Sequence, residues 1–260
     1  MNTRNYTYRV MDLNTSQLEV PRESYQRALN PERVQKIVRE FDERIANEPK
    51  VSCRDGHYYV FDGQHTIAAR KLRNGNRDLF VRCKVYFGMM VEDEALLFAQ
   101  QTGASARLTP GIWIRALIYG GDPVALQFKA ATELVGLHLD YGQAQGKKRI
   151  PCVGTAFSVF QRIGPERYME ALKAIQDAWN GCPDSFRHEN VLGVSAFVDL
   201  YHDDYDPKRL VARLRRYDPL FISREGKASG ISSSGSKRYL HQVWRMYNGN
   251  SKKNLLPLKH

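Results

Sequence analysis

The residues most able to do chemistry stand together in FDGQHTIAAR, Phe61 to Arg70. A strand-like run ends there, Asp62-Gly63 allows a tight turn, and a helical pattern begins. The first N–H groups of a helix have no partner within it and lie at the positive end of its dipole, so an anion is favoured in front of them. Gln64, His65 and Thr66 add side-chain donors at the same place, and Arg70, four residues after Thr66, shares a helical face with it, within reach of a phosphate. Asp62 and His65 are also the candidates for a metal-assisted or acid–base step, with Glu23 a poor third. A plainer reading covers the same residues: Asp62 as a helix cap, Gly63 as a turn residue and His65 as the partner of a nearby carbonyl.

Further along, DPKRLVARLRRYD sets Arg209, Arg213 and Arg216 on one helical face beside Leu210, Leu214 and Tyr217. Such a helix docks its apolar side and offers arginines to a phosphate backbone, or simply presents a solvated face. Lys227, Lys237 and Arg238, with Arg224, flank a Gly/Ser-rich stretch. Tyr239, Trp244 and Tyr247 carry surfaces on which bases stack, yet their spacing with Leu240 and Val243 suits core packing. His202, Asp203, Asp204 and Asp206 lack the glycine and distal glutamate of a calcium loop and read as capping residues. Arg187-His188-Glu189-Asn190 has only a faint His-Asn nuclease likeness, and a helix–turn–helix through Gly164-Pro165 lacks a marked recognition helix. Cys53, Cys83, Cys152 and Cys182 form no CxxC pair, so buried thiols in a reducing compartment are expected and no metal site is.

The charge distribution favours a polyanionic partner. The 260 residues carry 39 Lys/Arg against 28 Asp/Glu, a net +11. From Pro207 to His260 there are 13 Lys/Arg and 2 Asp/Glu, so all of the excess lies in the last fifth of the chain. A concentrated basic segment gains affinity for nucleic acid by releasing condensed counterions, although a basic tail also serves solubility. No apolar run approaches the roughly 20 residues needed to cross a bilayer, and the polar N-terminus lacks a secretory signal, which reads as cytoplasmic.

The elements that must position these groups emerge from the pattern. Asn30 as cap, Pro31 at the first position and Val34, Ile37, Val38, Phe41 and Ile45 on one face predict a helix from Asn30 to Ile45. KVSCRDGHYYVFDGQ predicts a hairpin turning at Asp55-Gly56. A helix through Thr66, Ala69 and Leu72, a strand VRCKVYFG and a helix VEDEALLFAQQTG complete a compact unit ending near Pro110. Beyond it, helices are expected at Pro123–Leu139, Gly154–Asn180, Val191–Tyr201, Pro207–Tyr217 and in KRYLHQVWRMYN, with Gly142–Arg149 a loop and Gly226–Ser236 flexible by composition.

DGQHT followed by Ala69, after a helix and a hairpin, resembles the signature of the ParB/sulfiredoxin-like superfamily, in the DGQHR-type branch frequent in phages and mobile elements. The likeness runs from about Val20 to Pro110 and takes in SYQRALNPERVQKIVREF and VEDEALLFAQQTGASARLTP. It implies an α+β fold: a small mixed sheet with helices over residues 1–110, then a mainly helical, basic region over 111–260. It also implies a nucleotide, CTP or ATP with Mg2+, held by Gly63, Gln64, His65 and Thr66. Gln26 and Arg27 would join from the N-terminal segment, and Gln101, Thr102 and Arg107 from a second motif. A DNA-associated protein of a phage, plasmid or other mobile element is the resulting expectation, with DNA, nucleotide and a second copy of the chain as partners. A ParB-like metal-dependent nuclease and an NTP-dependent kinase or NTPase are the alternatives. Gln64 stands where sulfiredoxin has its nucleophilic cysteine, which excludes that reaction. Thr66 replaces the usual arginine, forfeiting a charge-assisted hydrogen bond of about 1.5–3 kcal/mol.

Overall fold

A computed structural model describes residues 6–100, 108–142, 146–228, 235–250 and 255–259. The fold is α+β, and the chain divides into two compact units, Met1–Asp122 and Pro123–His260. The division falls later than the boundary expected near residue 110. Its cause is the helix Pro110–Tyr119, which packs on the helix Val91–Gln100 and so belongs to the first unit.

The first unit is built on a five-stranded mixed sheet. In chain order its elements are β1 (Tyr8–Asn14), β2 (Leu18–Glu19), α1 (Pro31–Arg39), β3 (Lys50–Arg54), β4 (His57–Asp62), α2 (Gln64–Arg73), β5 (Phe80–Phe87), α3 (Val91–Gln100) and α4 (Pro110–Tyr119). The strands lie in the order β1-β5-β3-β4-β2. β1 runs antiparallel to β5, β3 runs parallel to β5 and antiparallel to β4, and β2 runs parallel to β4. Successive strand residues face opposite ways, so each face has its own core. Val51, Val60, Val81, Cys83 and Val85 pack with Leu13 and Ile67 on one side. Phe61 packs with Tyr25, Met89, Ala95, Phe98 and Ala116 on the other.

Several local expectations are met and others are corrected. Asp55 and Gly56 take φ of 51° and 82°, the left-handed pair that a two-residue hairpin requires. Asn30 caps α1 by accepting from Arg33 N. The helix stops at Arg39 rather than Ile45, because the Asp42 side chain accepts from the Arg44 backbone (2.9 Å) and pairs with its guanidinium, giving the chain a turn in place of further helix. Ile45, expected on the buried face, is 76% exposed. β1 and β2 are not indicated by sequence pattern: β1 is an edge strand with little burial, and β2 has two residues.

The second unit contains α5 (Pro123–Leu134), β6 (His138–Leu139), β7 (Arg149–Ile150), α6 (Val153–Trp179), α7 (His188–Leu200), α8 (Pro207–Leu214), α9 (Phe221–Ala228) and α10 (Gly235–Asn248). α7 packs against both α6 and α10. The helix expected to reach Leu139 ends at Leu134, where Gly136 takes a φ of +77° and the chain pairs β6 with β7. α6 is broken at Gly164, whose φ/ψ of 79°/168° no helix contains, and Pro165 opens its second half. α8 stops at Leu214, not Tyr217, and α9 occupies the start of the Gly/Ser-rich stretch. Among the described residues no helix is long and apolar enough to cross a membrane. The four cysteines are free, and burial pushes the Cys83 and Cys152 thiols up to about 11 and about 12, where they are poor nucleophiles.

Candidate phosphate site

The site begins with an irregularity in the hairpin. Lys50 pairs with Asp62 but Val51 pairs with Val60, so one extra residue bulges from β4 just before its end. A bulge bends a strand and re-aims the residues beyond it. Here it sets Asp62 against Lys50, with Oδ2 and Nζ 3.2 Å apart, and delivers the chain to Gly63. Gly63 adopts φ 96°, ψ 8° and is the N-cap of α2 without a side-chain cap bond. A Cβ there would lie 3.0 Å from Pro49 Cα, so both conformation and space demand glycine.

The first bond of α2 runs from Ile67 N to Gly63 O (3.0 Å). The amides of Gln64, His65 and Thr66 precede it and have no carbonyl within the helix. In front of them lies a cleft of about 250 Å³. Asp62 to Thr66 form one wall, α1 contributes Arg33 and Ile37, and Phe41, Asp42 and Ile45 to Glu48 close the remainder. The wall is therefore part amide and cation, part apolar, which suits a ligand with a phosphate and a flat ring. Glu40, Asp42 and Glu48 also line it, with Asp42 paired to Arg44 and Glu48 to Arg82 and Lys84.

The side chains of Gln64 and His65 turn inward, each 5% exposed. Gln64 donates to Gln26 Oε1 (3.2 Å) and to the Arg27 carbonyl (3.1 Å), while Gln26 donates to the carbonyls of Val60 and Phe61. These two amides clamp the 20–27 segment to the turn as scaffold, which leaves the backbone N–H groups of residues 64–66, without partners inside the helix, as the donors these cleft-lining residues have to offer. His65 Nε2 accepts from Asn30 N (3.1 Å), which ties α2 to the cap of α1. A neutral ring bonded in this way carries its proton on Nδ1 and keeps only that donor. Its basic nitrogen is taken, so His65 is not arranged as a general base.

Burial, with the charges of Arg27 and Arg33, lowers the His65 imidazole to about 4. The unfolded chain therefore takes up this proton first, and the stability tied to a neutral His65 is full above its ordinary value and is lost as pH falls towards 4. Unfolding free energy at about pH 5 should be on the order of 1–2 kcal/mol below that at neutral pH from this group alone. Urea titrations at both pH values should show the difference shrinking in His65→Gln.

Arg70, expected at the phosphate, does not line the cleft. Its guanidinium pairs with Glu43 (3.1 Å) and lies 5.6 Å from the Phe41 ring. Arg33 is the cation that sequence reading misses. It lines the cleft, influences both Arg27 and His65 electrostatically, and among the described residues makes no ion pair. A signal is present, since an arginine in the first turn opposes the helix dipole. Asp62 is held by Lys50, Glu23 does not line the cleft, and among the described residues no group of three His, Cys, Asp or Glu is placed to hold a metal. Gln101, Thr102 and Arg107 lie outside the described residues.

A protein-family model, described as a family of unknown function (DUF6551), matches residues 20–260. The chain belongs to that family. No curated protein and no solved structure matches it.

In this DUF6551 member the match spans both units, so the basic second unit is as much a part of the family as the cleft. Of the arginines expected on one helical face, Arg209 lies over the Tyr247 ring (4.7 Å), Arg213 is half-buried, and Arg216 is exposed beyond the end of α8. Lys227 and Lys237 are exposed and Arg238 is half-buried. The Arg187–Asn190 segment turns out to be the start of α7. Glu189 is buried beneath Ser223 and His188, and Asn190 donates to three carbonyls, so its residues hold the fold together.

Proposed function

We propose that the first unit binds a nucleotide through its phosphates and that the second unit associates with DNA, as the resemblance to ParB/sulfiredoxin-like proteins implies. The observation that carries the reading is the cleft directly in front of the Gln64, His65 and Thr66 amides. Helix amides and the dipole receive the phosphate, with Arg33 supplying the cation that Thr66 does not. Ile37, Phe41 and Ile45 offer the apolar surface for a base. Of the acids on the wall, Asp42 and Glu48 are already paired with Arg44 and with Arg82 and Lys84, so their repulsion of an incoming phosphate is reduced.

A thermal-shift panel of CTP, ATP and GTP with Mg2+ tests this. Ligand at about 100 times its dissociation constant stabilises by roughly 2.7 kcal/mol, so one nucleotide should raise the unfolding midpoint by several degrees. Arg33→Ala should weaken that nucleotide roughly 10- to 100-fold while leaving the unliganded midpoint unchanged, because it removes a charge-assisted contact and no native pair. A panel without a shift would count against the cleft as a nucleotide site. For the second unit, affinity for labelled DNA should fall steeply with salt, as phosphate contacts require.

A further inference from the structure

The aromatic residues near the end of the chain divide into two sets. Tyr239 and Tyr247 are 5% and 2% exposed and belong to the core, as their spacing predicts. Trp244, expected to join them, is half-buried instead and lines a cleft of about 500 Å³. Tyr217, Phe221, Arg245, Asn248 and Leu256 are among the other lining residues. The Tyr217 and Phe221 rings lie 4.3 Å apart with their planes tilted by 42°.

The walls are held in place by hydrogen bonds, so the cleft does not depend on a ligand to exist. Trp244 Nε1 and Asn248 Nδ2 both donate to the Leu256 carbonyl (3.0 and 3.1 Å), and Leu256 N donates back to Asn248 Oδ1 (2.9 Å). These bonds pin the C-terminal segment beside α10. Trp179 Nε1 donates to the Tyr217 carbonyl (2.9 Å), which anchors that lining residue. Preorganised aromatic walls cost little to fill.

The surroundings are cationic. Arg245 is part of the wall, Arg216 is exposed immediately before Tyr217, and a Cβ at the lining residue Gly249 would sit 3.0 Å from Arg213 Nη1. The nearest acid in sequence, Asp218, is paired with Arg224. Aromatic rings with Arg245 on their wall and Arg213 beside it are complementary to a base joined to its phosphates. Bases of a duplex are stacked and paired, so only an unpaired base can enter.

We propose that this cleft takes an unstacked base of single-stranded DNA, with Tyr217, Phe221 and Trp244 as the stacking surfaces and Arg213, Arg216 and Arg245 on the flanking phosphates. The proposal rests on the nucleic-acid association proposed above and adds its strand form and its site. The test is fluorescence anisotropy of the full chain with labelled oligo(dT) and with a duplex of equal length, alongside quenching of tryptophan emission. Single strands should bind more tightly than duplex and quench emission, and Trp244→Phe should reduce the quench. Phe221→Leu, which keeps apolar volume but removes a π face, should cost roughly 10-fold for the single strand and leave duplex binding unchanged. Circular dichroism melts of both variants show that they remain folded. Salt-sensitive binding with no quench and no loss in Phe221→Leu would overturn the cleft assignment and leave the electrostatic association standing. No binding of either DNA would overturn both, and tighter capture of duplex or of oligouridine would overturn the single-stranded DNA assignment.

Discussion

Gly63→Ala is expected to lower the unfolding midpoint by several degrees and to abolish any nucleotide-dependent rise. Two costs act at this residue. A φ of 96° is strained for any residue with a Cβ, by about 1–2 kcal/mol. The new methyl would also lie 3.0 Å from Pro49 Cα and 3.1 Å from Pro49 Cβ. Pro49 has little room to retreat, because its carbonyl accepts from Lys84 N (2.9 Å) and so ties it to the sheet. Overpacking of this kind adds about 1–3 kcal/mol. Gly56→Ala provides the control. Gly56 has a φ of +82°, but a methyl there would meet nothing within 4 Å, so strain alone should act and nucleotide response should survive. Thermal melts of the two variants, with and without nucleotide, separate the contact from the conformation.

Glu94→Ala should be as destabilising as truncating a buried aromatic of the first unit. Glu94 is wholly buried, accepts from the Tyr25 hydroxyl at Oε2 (2.8 Å) and pairs with Arg54 at Oε1 (2.6 Å). Burial, reinforced by Glu94, holds the Tyr25 phenol far above its ordinary range, so it stays a donor. Arg54 in turn lies 3.8 Å over the Tyr59 ring. Removing the carboxylate leaves a largely buried guanidinium and a buried hydroxyl without their partner, a loss of about 3–5 kcal/mol. Glu94→Gln keeps an acceptor for Tyr25 and should lose less. Tyr25 adjoins Gln26 and Arg27, which the Gln64 amide grips, so nucleotide affinity should fall along with the urea midpoint.

What the sequence disclosed was local chemistry. Asn30-Pro31 and Asp206-Pro207 announce helix starts because capping involves neighbours within one turn, and both caps form. Asp55-Gly56 announces a hairpin for the same reason, and Asp62-Gly63 marks the strand-to-helix turn. What it withheld depends on distant partners. β1 owes its place to pairing with β5 some seventy positions away, and an exposed edge strand carries little alternation to betray it. The inward turn of Gln64 follows from Gln26, and the cleft owes its far wall to the turn at Asp42, where a local side-chain bond overrides an otherwise helical run. Arg70 has the right helical phase for a phosphate, but phase says nothing of Glu43, which occupies it.

The central claim is that the amides of Gln64, His65 and Thr66 receive a phosphate, and amide chemical shifts report on them directly. Titrating the isotopically labelled chain with a nucleotide and Mg2+ should move these three amide resonances saturably, in step with one another, and Arg33→Ala should weaken that response. Saturable binding that leaves all three unmoved while shifting resonances elsewhere would contradict the account.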